Sequence, residues 1–220
     1  MGQYYKAVNI DKHEYLSPGS FNCGNKLMES CYVGNWLVNA LTGLLSGPWH
    51  GDRVMYIGDY AWDSTGSGND LLSALYDEGV IEADPYVAAK VWHNAAERCT
   101  VPETFDYVLL SGHGASEVWE AVTVPAHEGE IDCKMITRYV ANETQGVFYD
   151  REKLVESDWH GITIDPLLIF LAVGNGLGGG DYRSDVHAEL VGSWACQTIS
   201  ASNGRPEGLR EIVNPFDPNA

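Results

Sequence analysis

The sequence predicts an α+β fold: a duplicated hairpin–helix–strand unit whose strands form antiparallel sheet, with helices packed on one side of it. Three observations predict this. Lys6-Ala7-Val8-Asn9, a polar turn, then Tyr15 and Phe21 are matched by Tyr139-Val140-Ala141-Asn142, a polar turn, then Phe148 and Leu154, each pair 133 positions apart. Gly47-Pro48-Trp49 followed by Val54 is matched by Gly192-Ser193-Trp194 followed by Ile199, at 145 positions. The second interval is longer by 12 residues, and there the second copy carries Gly174-Asn175-Gly176-Leu177-Gly178-Gly179-Gly180-Asp181-Tyr182. The chain of 220 residues then reads as one domain: a first repeat over about 3–60, an insertion over about 64–132 and a second repeat over about 134–203.

Each element has a local reason. Gln3 to Asn9 reads as a strand, Asp11-Lys12-His13 as a hairpin turn and Glu14 to Leu16 as its return. Leu27, Cys31, Leu37, Leu41 and Leu45 recur at helical spacing over Asn25 to Leu45, and Gly34 divides that stretch into two helices. Gly47-Pro48 closes it, and Arg53 to Gly58 is a mostly apolar strand. After the Ser64–Asn69 loop, Asn69 or Asp70 caps a helix over Leu71 to Tyr76. Asp84-Pro85 starts another, with Val87, Val91 and Ala95 as its apolar side. Phe105 to Leu110 and Val118 to Val124 read as strands joined through Ser111-Gly112-His113-Gly114. Lys134 to Ala141 and Gly146 to Tyr149 form the second hairpin. Pro166 to Val173 is too short for its periodicity to separate helix from buried strand, and Cys196 to Ser202 is the last strand. The tail from Asn203 reads as irregular.

Composition limits the function classes. A hydrophobic content of 45% is ordinary for a chain that buries a core. No apolar run is long enough for a transmembrane helix, so no membrane role is expected. The first residues lack the basic-then-apolar pattern of a secretory signal, and Lys6 stands where a myristoylation motif takes Ser or Thr. Five cysteines (Cys23, Cys31, Cys99, Cys133, Cys196) at irregular spacing point to reduced thiols in a cytoplasmic protein rather than disulfides or a zinc site. The formal charge of −18 disfavours direct nucleic-acid binding, because phosphates repel such a chain. It leaves open solubility or high-salt adaptation, attraction of a basic protein, and imitation of DNA.

The opening Met1-Gly2-Gln3-Tyr4-Tyr5-Lys6-Ala7-Val8-Asn9-Ile10-Asp11-Lys12 resembles that of a family of uncharacterised bacterial and phage proteins. Lys26-Leu27-Met28-Glu29, Gly51-Asp52-Arg53-Val54 through Gly58-Asp59-Tyr60, the glycine-rich run and Val191-Gly192-Ser193-Trp194-Ala195 are similar to further blocks of that family. The resemblance covers the outer thirds of the chain and implies no activity.

Four constellations are candidates for chemistry. In the glycine-rich loop, Gly176, Gly178, Gly179 and Gly180 can bring backbone N–H groups close to an anion, with Asp181 and Arg183 beside them. No P-loop or dinucleotide fingerprint accompanies them, and a tight structural loop is the plainer reading. Asp185, His187 and Glu189 alternate after Asp181, and on a strand would share a face suited to a divalent metal; a solvated polar segment is the plainer reading. Tyr107 to Gly114 resembles the strand and Ser-Gly-His-Gly segment of caspase-like cysteine peptidases. That resemblance makes His113 the assisting histidine, with Cys133 or Cys196 as nucleophile, although neither cysteine fits the family's placement well. Finally, the chain has seven tryptophans, and Trp49 and Trp194 occupy matched positions, as core residues would.

The leading expectation is therefore a non-catalytic binding protein of bacterial or phage origin with a small-molecule or protein partner, an anionic small molecule at the glycine-rich loop being one option. The alternatives are a cysteine hydrolase using His113, and an acidic DNA mimic or inhibitor that holds a basic protein. The motifs specify no cofactor and no oligomeric state.

Overall fold

The computed structural model describes residues 2–62, 67–100, 104–107, 120–123, 129–156, 162–182 and 187–216; at 67–70, 104–107 and 120–123 it describes the backbone alone. The fold is α+β. The strands are β1 (Tyr5–Asn9), β2 (Glu14–Leu16), β3 (Asp52–Gly58), β4 (His93–Asn94), β5 (Cys99–Thr100), β6 (Thr104–Tyr107) and β7 (Glu120–Thr123), followed by β8 (Ile131–Asp132), β9 (Tyr139–Asn142), β10 (Val147–Asp150), β11 (Ala172–Val173), β12 (Gln197–Ser202) and β13 (Arg210–Glu211). The helices are α1 (Leu27–Ser30), α2 (Trp36–Ser46), α3 (Ser67–Asp77), α4 (Pro85–Ala88) and α5 (Leu167–Leu171). Nine strands form one sheet in the order β13-β10-β9-β12-β3-β1-β2-β4, with β11 beside β3. Its central pairs are antiparallel, while β4, β11 and β13 join in parallel. β5 with β8 and β6 with β7 make two small ladders.

The middle of the sheet is matched bond for bond about the β3–β12 junction. In one half Asn9 pairs with Val54 and Glu14; in the other, Asn142 pairs with Ile199 and Val147. Asn9 Oδ1 accepts the Lys12 amide and Asn142 Oδ1 the Gln145 amide, both at 3.0 Å. Ile10 donates to the Arg53 carbonyl at 3.0 Å, and Glu143 to that of Thr198 at 2.9 Å. Across the junction, Gly51 donates to Ile199 at 3.0 Å and Cys196 to Val54 at 2.8 Å. Gly51 and Cys196 both adopt positive φ, +75° and +58°. These pairs all fall at the intervals of 133 and 145 that the sequence presents.

Alternation along the strands splits the core in two. Tyr5, Ala7, Val54, Tyr56, Val140, Val147, Tyr149, Ile199 and Ala201 face α1, α2 and α5, with Trp49 and Trp194 buried among them. Asn35 caps α2 by accepting the amides of Leu37 at 2.9 Å and Val38 at 3.4 Å, so the helix starts two residues beyond Gly34. Pro166 to Val173 resolves into α5 followed by β11.

Helices do not cover only one side of the sheet, as the sequence predicts. Val8, Ile10, Met55 and Ile57 point the other way and meet Leu72, Leu75, Ile81 and Ala89 from α3 and the α4 region. The amphipathic spacing of α3 requires a partner face but does not say which one. α4 is a single turn, shorter than the Val87 and Val91 spacing predicts. Both valines are exposed, Val91 at 87%, so no burial sustains a longer helix. On the second half of the same face, Tyr139, Ala141 and Phe148 pack against Leu209 of the tail.

One buried polar network joins these parts. Arg151 and Asp165, both with fully buried side chains, pair at 2.7 Å. Arg151 also reaches Asn39 Oδ1 at 3.1 Å, Thr42 Oγ1 at 3.3 Å and the Thr137 carbonyl at 3.0 Å. Asp165 accepts the Tyr149 hydroxyl at 2.8 Å and the Leu167 amide at 3.1 Å. With every nitrogen of the guanidinium and both oxygens of the carboxylate hydrogen-bonded, the pair meets the condition under which a buried ion pair is tolerated.

Candidate functional site

The glycine-rich loop begins where β11 leaves the sheet and folds back over the start of β1. Its approach depends on missing side chains at two points. A Cβ on Gly174 would lie 2.5 Å from Gln3 Oε1 and the Tyr5 hydroxyl, and one on Gly178 would lie 2.7 Å from the Gln3 backbone nitrogen. The loop is then tied down by side chains. Asn175 donates its amide to Gln3 Oε1 at 3.2 Å, Leu177 to Asn175 Oδ1 at 2.9 Å, and Gly178 to Asp181 Oδ2 at 2.8 Å. Asp181 returns its own amide to the Gly178 carbonyl at 3.1 Å, and the Gly180 carbonyl accepts from Met28 at 2.9 Å.

Beside the loop lies a cavity of about 310 Å³, lined by Tyr5, Leu27, Leu71, Val173, Asp181 and Val191 among others. That size sits at the lower end of small-molecule pockets. Asp181 is 7% exposed, and its Oδ1 accepts the Tyr5 hydroxyl at 3.0 Å. The same hydroxyl lies 3.0 Å from Gln3 Oε1. Burial, then the Asp181 charge beside it, raises the Tyr5 phenol far above its ordinary value, so this phenol is a donor and not a phenolate.

The predicted loop residues therefore have different positions. Gly176, at φ +66°, and Asp181 line the cavity. Gly178 packs on Gln3, Gly180 covers the Lys26 chain, and a Cβ on Gly179 would meet nothing. Arg183 lies outside the described residues. Three of the loop's amides, at Asn175, Leu177 and Gly178, are given to side-chain oxygens of the protein itself. An anion at Gly178 would have to displace Asp181. Tyr5 and the hydrophobic walls were not legible as site residues: the Tyr5–Asp181 contact spans 176 positions.

Among the described residues the metal face does not form. His187 adopts φ +62° and leads into a 3-10 turn at Ala188–Leu190, so its stretch is no strand and the expected alternation is lost. His187 Nδ1 stands 3.7 Å from Glu189 Oε1, and Asp185 lies outside the described residues. Among the described residues no three His, Cys, Asp or Glu side chains converge on a metal position.

His113 lies outside the described residues. The two thiols proposed for it are both protonated by their surroundings. Cys133 is fully buried, and a hydrogen bond with Cys99 followed by desolvation pushes its thiol far up. Burial pushes Cys196 to about 11, against a partial opposing effect of Arg53. Neither is the thiolate that nucleophilic attack requires. All five cysteines are free. No helix among the described residues is long and apolar enough to cross a membrane.

Comparison with protein-family models, curated proteins and solved structures finds no match to this chain.

Proposed function

We propose that this chain is a small-molecule binding protein built from two copies of one hairpin–helix–strand unit, and that the loop added to the second copy forms the ligand site against the first strand of the first copy. The observation that carries this reading is the cavity of about 310 Å³ with a buried carboxylate in its wall. The matched hydrogen bonds support the two-copy construction. In this reading the glycine-rich loop is a place where the copies differ, and differences between copies are where function can be added without disturbing the shared core. The protonated thiols favour binding over cysteine hydrolysis.

The anionic ligand that the glycine run suggests by itself is disfavoured by Asp181, which already occupies the Gly178 amide. A ligand offering hydrogen-bond donors and an apolar body suits the wall better. The test is a thermal-shift screen of a small-molecule library on the wild-type chain and on Ala188→Trp. Ala188 is exposed and lines the cavity, so an indole there blocks the site without entering the core. Compounds that raise the melting temperature of the wild type but not of the variant support the reading. Absence of such compounds contradicts it.

A further inference from the structure

The wall of this cavity contains a carboxylate, Asp181, that has no ion-pair partner among the described residues. Asp181 is 7% exposed. Its carboxylate accepts two hydrogen bonds, from the Tyr5 hydroxyl at 3.0 Å and the Gly178 amide at 2.8 Å, and both donors are neutral. None of the ion pairs among the described residues includes it; Lys26, whose chain passes beneath Gly180, places its ammonium 3.0 Å from Glu29 instead. Buried carboxylates are ordinarily matched by a cation, because an unmatched one costs several kcal/mol in lost solvation. The proton of the Tyr5 hydroxyl is also shared between two oxygens. The Tyr5 phenol has one proton and stands 3.0 Å from two acceptors, Asp181 Oδ1 and Gln3 Oε1. Whichever oxygen takes it, the other has room for a donor from elsewhere. Around this carboxylate the cavity is lined by Leu27, Leu71, Val173 and Val191, which offer an apolar body a surface but no donor.

We propose that the cavity binds a primary organic amine as its ammonium ion, with Asp181 as the charge partner and the hydrophobic wall holding a short aliphatic or aromatic body. This rests on the reading that the cavity is a ligand site. The ammonium supplies up to three donors and the missing positive charge. A charge-assisted hydrogen bond of this kind discriminates strongly against a neutral isostere.

The test compares three probes of nearly equal size by isothermal titration calorimetry: 2-phenylethylamine, 2-phenylethanol and phenylacetate. The amine is expected to bind the wild-type chain about tenfold or more tighter than the alcohol, and the acid weakest. Asp181→Asn should bring amine and alcohol to within about threefold of each other, as expected when a charge-assisted bond becomes a neutral one. Asparagine can keep both neighbours, its oxygen on the Gly178 amide and its Nδ2 donating to the Tyr5 oxygen, while the phenol proton turns to Gln3. The three wild-type titrations decide the matter even if that variant fails to fold. An alcohol or acid that binds as tightly as the amine, an amine preference that survives Asp181→Asn, or an amine that does not bind overturns the proposal. Alcohol or acid binding that Ala188→Trp abolishes would leave the cavity as a ligand site and remove only the amine. A cavity that takes none of the probes and no library compound removes both.

Discussion

Asn9 and Asn142 occupy the same place in the two halves of the sheet, and they differ in one partner. Both side chains are fully buried, and each closes its hairpin turn by accepting an amide three residues on, at 3.0 Å. The Nδ2 of Asn9 donates to the carboxylate of Asp52 at 2.8 Å, whereas that of Asn142 donates to the amide oxygen of Gln197 at 2.6 Å. Asp52 and Gln197 are themselves matched at the interval of 145.

That difference makes the two positions separable by one substitution. Asn9→Asp places a second carboxylate against Asp52, where only Lys12 offsets it. Asn142→Asp faces Gln197, which can turn its amide to donate. In urea denaturation at pH 7, Asn9→Asp should cost about 2 kcal/mol more than Asn142→Asp, the scale of an unsatisfied buried polar group. The gap should close below about pH 4, where one carboxyl of the pair becomes protonated. Equal losses at pH 7 would contradict this difference in partner.

The Arg151–Asp165 pair should behave as a structural keystone. Arg151→Met leaves Asp165 buried and uncompensated, with an expected loss of about 3–5 kcal/mol. Tyr149→Phe removes one hydrogen bond to the charged carboxylate but leaves Arg151 and the Leu167 amide in place, with an expected loss of about 1.5 kcal/mol. Denaturation midpoints in urea measure both.

Two carboxylates should set part of the acid response. Burial alone would raise Asp150, but the Arg138 guanidinium and the Glu152 amide outweigh it and hold the carboxyl below its ordinary range. At Asp11, Arg53 likewise outweighs burial. A group with a depressed folded value stabilises the fold above its unfolded value, about 3.9 for Asp, and the contribution is lost as pH falls through the folded value. Stability should therefore decline below about pH 4, and Asp150→Asn should flatten that decline while lowering stability at pH 7. An unchanged acid profile in that variant, followed by circular dichroism, would contradict the assignment.

The thiols should be inert in the folded chain. Burial raises Cys23 and Cys196 to about 11, and it raises Cys31 to about 12. With so little thiolate at pH 7.4, alkylation of these three by iodoacetamide should run about a hundredfold slower than for a free cysteine, and all five cysteines should react once the chain is unfolded in urea. One thiol that labels rapidly in the native state would restore the hydrolase reading.

Much of the sheet was legible because strand periodicity and a constant interval carry the same information twice. Asn9 with Asn142 and Trp49 with Trp194 are short-range patterns that need no knowledge of the fold. Gly34 marked the break before α2 in the same way, whereas the Asn35 cap appears only in the structure. The keystone was not legible. Arg151 and Asn39 are 112 positions apart, and a lone arginine or asparagine in sequence looks like surface. The face covered by α3 was hidden for a related reason, since amphipathicity gives a buried side without its partner. The glycine-rich loop misled in a specific way. Glycines imply amides free to hold an anion, but Gln3, Asn175 and Asp181 take three of them, and Gln3 reaches the loop only because the N-terminal strand lies beneath it.

The central claim is that the cavity between the glycine-rich loop and β1 holds a small molecule, and amide NMR on the isotope-labelled chain tests it most directly. On titration with a compound selected by thermal shift, the account predicts shift changes concentrated at Tyr5, Gly174, Asn175, Gly176, Asp181 and Gly192, and their absence in Ala188→Trp. Changes centred on another surface, or identical changes in Ala188→Trp, would contradict it.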